Sequence, residues 1–82
     1  MNEPVVKALI DLIVFLEFSD DSTVDPDAAV HMMETVSARL SALSKSEVKS
    51  FVDIAHTYAG DFSDAKIKDF VGSLEGAMGL EA

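Results

Sequence analysis

The chain has 82 residues, no cysteine, fifteen acids against six bases, and a formal net charge of −9. That length holds one hydrophobic core, so residues 1–82 read as a single domain, and no disulfide framework or thiolate metal site is available to staple it. The 49% apolar share excludes a disordered chain, and the negative field disfavours nucleic acid and anionic membranes as partners.

The first helix is predicted over about residues 4–18. Pro4 suits the first helical turn, with Asn2 or Glu3 as cap. Alone, LIVFLEF resembles a buried strand. Lys7 and Asp11 stand four apart, however, with Glu17 near the same side, and that spacing is helical. Val14 and Phe18 share the polar stripe and Phe15 flanks it, so this helix is apolar nearly all round and needs cover. Lys7, Asp11 and Glu17 exclude a membrane span, Glu3 and Asp11 argue against a signal peptide, and a cytoplasmic location is expected.

The second helix is predicted over 26–43. Asp25 is a good N-cap, Pro26 a good first residue, and Asp27 complements the helix dipole. Ala29, Met33, Val36, Leu40 and Leu43 form its inward line; His31, Glu34 and Ser41 fall on another face. Met32 and Met33 read as core filler. The third helix, 45–59, opens with LSKSEV. Ser44 and Glu47 form a capping box, and Leu43 can staple onto Val48. Val48, Phe51, Val52, Ala55, Tyr58 and Ala59 should face inward, with the Tyr58 hydroxyl at the rim, and Gly60 should end the helix in a left-handed cap.

The fourth helix is predicted over 63–75, with Ile67, Phe70, Val71, Leu74 and Met78 inward. Gly72, Gly76 and Gly79 weaken it, so it should fray after Leu74 while the tail stays loose or docks through Leu80. Short links between these segments give a compact all-α, four-helix domain.

No motif carries catalysis. An EF-hand would need glycine at loop position 6 and glutamate at 12, and no register of DDSTVDPDAAVHMME supplies both. Acyl carrier proteins share the size and acidity, but their Asp-Ser-Leu attachment triplet is absent: Ser22 precedes Thr23, and the helix starts only at Pro26. His31 and His56 lie on different helices without a visible nucleophile partner. Asp27, His31 and Glu34 share a face but make too few ligands for a strong metal site. Lys45, Lys49, Lys66 and Lys68 are interleaved with acids and form no basic stripe. The reading is therefore no enzyme, no cofactor and no metal.

What remains is charge asymmetry. Residues 1–38 hold eight acids and one lysine, and five carboxylates fall between Glu17 and Asp27 without a cation. Clustered like charges cost stability, and a basic partner would relieve that cost. Beside them, Val14, Phe15 and Phe18 either complete the protein's own core, the reading preferred for Phe15, or form an apolar anchor inside a charged rim.

The stretch FLEFSDDSTVDPDAAV and the following METVSARLSALSKSEVKSF resemble, in size, acidity and helix order, the small four-helix immunity proteins that bacteria make against their own toxins. The tyrosine-rich motif of the colicin nuclease immunity proteins is absent, so no residue roles carry over. The resemblance implies a toxin partner with a cationic cleft, neutralised by occlusion. On that reading Asp20, Asp21, Asp25 and Asp27 steer association and Phe18 anchors; Glu17 belongs to the same partner-binding surface, and His31 and Glu34 are candidates for the adjoining face. Two alternatives stand beside it. One is a homodimer through the outer face of the first helix, at Val14 and Phe18. The other is a phage-type acidic inhibitor that mimics nucleic acid.

Overall fold

A computed structural model describes residues 1–80. Its helices are α1 (Glu3–Phe18), α2 (Pro26–Leu40), α3 (Lys45–Tyr58), α4 (Ala65–Gly72) and α5 (Leu74–Ala77), with one 3₁₀ turn at Ala59–Asp61. The expected all-α class is therefore found, with five helices in place of four. The molecule measures 38 × 28 × 20 Å, and the short dimension is two helix diameters.

Each start follows its cap. The Asn2 side chain accepts from Val5 N–H at the head of α1, and Asp25 accepts from Ala28 N–H at the head of α2. The capping box at α3 is complete: Ser44 Oγ accepts from Glu47 N–H, and Glu47 Oε1 accepts from Ser44 N–H at 2.9 Å. The Ser44 bonds hold the Glu47 carboxyl below its ordinary value of 4.5. Ser44→Ala is expected to cost about 1 kcal/mol, read as a lower urea midpoint with an unchanged slope. A midpoint equal to wild type would mean that the box adds nothing to stability.

The ends depart from expectation for local reasons. α2 stops at Leu40, three residues early. Ala42 and Leu43 N–H bond back only three residues, to Arg39 and Leu40, so the chain tightens into a turn. Gly60 forms no left-handed cap; the backbone runs through it into the 3₁₀ turn. The only described residue with positive φ is Gly79, at 68°. There Leu80 N–H reaches Glu75 C=O and Gly79 N–H reaches Gly76 C=O, a Schellman closure after α5. The fourth helix begins at Ala65, two residues later than expected, because Asp64 caps it, accepting from Lys66 and Ile67 N–H. It breaks at Ser73, whose hydroxyl donates to Asp69 C=O while its φ falls to −128°. The break turns the last segment inward instead of letting it fray: Leu74, Met78 and Leu80 are all buried.

The core is wholly apolar among the described residues. Ile10 and Ile13 of α1 meet Phe51 and Ala55 of α3 and Val71 and Leu74 of the last two helices, all at most 1% exposed. α3 delivers its expected stripe, with Tyr58 half-buried at the edge. α2 buries only Leu40 of its fifteen residues, and the helix packs chiefly against α1. Met32 is 46% exposed, so of the two methionines only Met33 packs against the core.

α1 divides its apolar surface differently from the expectation. Val14 packs against the core, whereas Phe15 is 50% exposed. The outward line is Val5, Ala8, Leu12 and Phe15, at three- and four-residue steps, because Val6, Ile10 and Ile13 on the opposite side already face the core. At one edge of this line Tyr58 donates to Asp11 Oδ1 at 2.6 Å, and Lys7 pairs with Glu3 at 3.1 Å while lying over the Tyr58 ring.

Candidate functional site

The last turn of α1, the α1–α2 connection and the first half of α2 place every expected partner-facing carboxylate in solvent. Glu17, Asp20, Asp21, Asp25, Asp27 and Glu34 are all exposed. The three ion pairs found among the described residues lie elsewhere, at Glu3–Lys7, Lys49–Asp53 and His56–Glu75. Among the described residues no cation pairs with a carboxylate of the elbow.

The six are not equivalent. Asp20 organises the loop: its Oδ1 accepts from the backbone N–H and hydroxyl of both Ser22 and Thr23, at 2.7–3.1 Å. The side-chain bond from Ser22, then that from Thr23, holds its carboxyl below the ordinary 3.8. Asp25 is committed to the α2 cap. Glu17, Asp21, Asp27 and Glu34 accept no hydrogen bond from another side chain or from loop backbone among the described residues. Loop order therefore rests on Asp20 and Asp25, and free negative charge on the other four.

Phe18 is only partly available. It is 41% exposed, and its ring meets Phe70 of α4 edge-on, with centroids 5.4 Å apart at 87°. Some of its surface is thus already used internally. Phe15, expected in the core, is the more accessible aromatic.

Beside the elbow lies an open groove of about 720 Å³. α2 forms one wall with Pro26, Val30, Met33 and Ser37; the end of α1 gives Leu16 and Glu17; Ala77 and Met78 close the far side. Ser37 Oγ donates to Met78 C=O at 2.6 Å, tying α2 to the chain after α5. Glu17, Asp21 and Glu34 line the groove, and no lysine, arginine or histidine does. So three of the eight expected site residues converge there. Phe18, Asp20, Asp25, Asp27 and His31 do not, although all five remain exposed.

The chain matches no protein-family model, no curated protein and no solved structure.

Among the described residues no three His, Asp or Glu side chains converge as a metal-ligating group, and no helix is long and apolar enough to cross a membrane. His56 Nε2 lies 2.7 Å from Glu75 Oε2, linking α3 to α5 across a partly exposed edge. The other coupled polar pair is Tyr58–Asp11. Its hydrogen bond, then burial, pushes the tyrosine from 10.0 up to about 12. Tyr58 is the chain's one tyrosine, so an ultraviolet absorbance titration reads it directly. Asp11→Ala is expected to return the midpoint toward 10.0. A midpoint still near 12 would mean that burial, not Asp11, sets it. The raised value has a stability consequence: the unfolded chain ionises first, so the contribution is whole below 10.0 and is lost as pH rises toward about 12.

Proposed function

We propose that this protein is a non-enzymatic, protein-binding inhibitor. In the resemblance drawn from its sequence, it is an immunity protein that neutralises a bacterial toxin by occluding a basic surface or cleft. The observation that carries the reading is the exposed elbow, with six carboxylates and no compensating ion pair among the described residues. Such a surface raises the local potential, speeds encounter with a cation-rich patch and repels anionic competitors. Asp21, Asp27, Glu17 and Glu34 supply charge free of internal bonds. Asp20 and Asp25 add charge while holding the loop, and His31 lies exposed beside them.

The test is co-expression with the toxin encoded beside the gene. Protection of the host and co-purification of a basic toxin domain are the expected results. Growth arrest despite well-expressed, folded protein would overturn the immunity reading.

A second reading has its own observation. Val5, Ala8, Leu12 and Phe15 form an exposed apolar line at three- and four-residue steps, the spacing of helix–helix seams. This line, and not Val14 and Phe18, would carry a homodimer. Light scattering after size exclusion distinguishes the two: a dimer that Leu12→Lys converts to monomer favours this second reading.

A further inference from the structure

Two apolar surfaces stand uncovered, the outer line of α1 and the groove beside α2. Their charge settings differ. Next to the α1 line, Glu3 is paired with Lys7 and Asp11 is bonded to Tyr58. Around the groove, Glu17, Asp21 and Glu34 have no such partners and no cation lines the wall. The end of α1 adds to this potential. Its last turn carries no basic residue, so the negative end of its dipole is uncompensated.

The groove's apolar lining suits side chains, not a polar small molecule. Val30 is 59% exposed on the α2 wall, and half-buried Met33 and exposed Ala77 belong to the same lining. Methionine is flexible and polarisable, and it adapts to irregular apolar knobs. No polar side chain among the described residues is buried there to orient a small ligand. An open apolar trough with a one-sign rim takes the apolar stripe of an amphipathic helix, with the charged flanks of that helix against the rim.

We infer that the groove beside α2 seats a cationic amphipathic helix of the partner, its apolar stripe on Val30, Met33 and Ala77 and its lysines or arginines against Glu17, Asp21 and Glu34. This rests on the basic-partner reading and adds where the partner sits and what form it takes.

The probe is a synthetic helical peptide of leucine and lysine, with apolar residues at steps of three and four. The comparator has glutamate for every lysine. Both are titrated into the isotope-labelled full chain and followed by amide shifts. The lysine peptide is expected to saturate, with shifts centred on Pro26–Ser37 and on Ala77 and Met78, and the glutamate peptide not to bind. Val30→Asp, at an exposed position that keeps the helical circular dichroism, should weaken binding at least tenfold. Joint reversal of Glu17, Asp21 and Glu34 to lysine should do the same at low salt. Shifts centred on Val5, Leu12 and Phe15, or unchanged affinity in Val30→Asp, overturn the inference; so does equal binding of the two peptides. The two readings fail separately. If Val30→Asp loses the peptide but still captures and neutralises the toxin, the groove is wrong and the inhibitor reading stands. If the lysine peptide seats in the groove but the chain gives no toxin protection, the groove stands and the immunity reading falls.

Discussion

Reversing Glu17, Asp21, Asp27 and Glu34 to lysine is expected to slow association with a basic partner by about 10- to 100-fold at low ionic strength. These four are chosen because they carry free charge, whereas Asp20 holds Ser22 and Thr23 and Asp25 caps α2. Replacing the latter pair would disturb loop and helix together and confuse loss of steering with loss of order. Rim charges act mainly on encounter, so the dissociation rate should change much less. Salt should narrow the difference, because exposed charges are screened within about 8 Å at physiological ionic strength. Stopped-flow mixing at two salt concentrations measures both effects. An association rate unaffected by reversal, or an effect of the same size in high salt, removes the steering role.

Phe51→Ala is expected to come close to unfolding the protein, while Phe15→Ala leaves it nearly as stable as wild type. Phe51 is 1% exposed between α1 and α3, whereas Phe15 is 50% exposed on the outer line of α1. Removing a buried ring loses its transfer energy and leaves a cavity, together about 3–5 kcal/mol. A chain of this size has about 4–12 kcal/mol in all, so one such loss consumes much of it. An exposed phenylalanine costs about 0.5 kcal/mol or less. Urea unfolding followed by far-UV circular dichroism compares them. Equal losses would mean that the α1 faces are assigned the wrong way round. The comparison bears on function as well, since it identifies which aromatic surface is free to meet another molecule.

Local chemistry explains what was legible in advance. Ser44 and Glu47, Asp25 with Pro26, and Asn2 with Pro4 each mark a helix start within a few residues, because caps satisfy backbone donors nearby. The α3 stripe from Val48 to Ala59 was equally plain, since one face of that helix is apolar and the other is not. Glu34 could be named as a candidate but not placed in a groove. The line Pro26, Val30, Met33, Ser37 was present at helical spacing, yet its opposite wall comes from Ala77 and Met78, some forty residues away.

By itself, then, the sequence determined the all-α class, most helix starts, the α3 core stripe and the exposed acidic elbow, all of which follow from bonds and periodicities spanning a few residues. Only the tertiary structure decided which side of α1 faces inward. That helix is apolar on nearly every side, and periodicity cannot choose among equivalent faces; packing against Phe51, Ala55 and Val71 chose Val6, Ile10 and Ile13. It likewise decided that the chain turns inward at Ser73 and brings Met78 to within reach of Ser37. A groove is a relation between distant segments, and no local propensity encodes it.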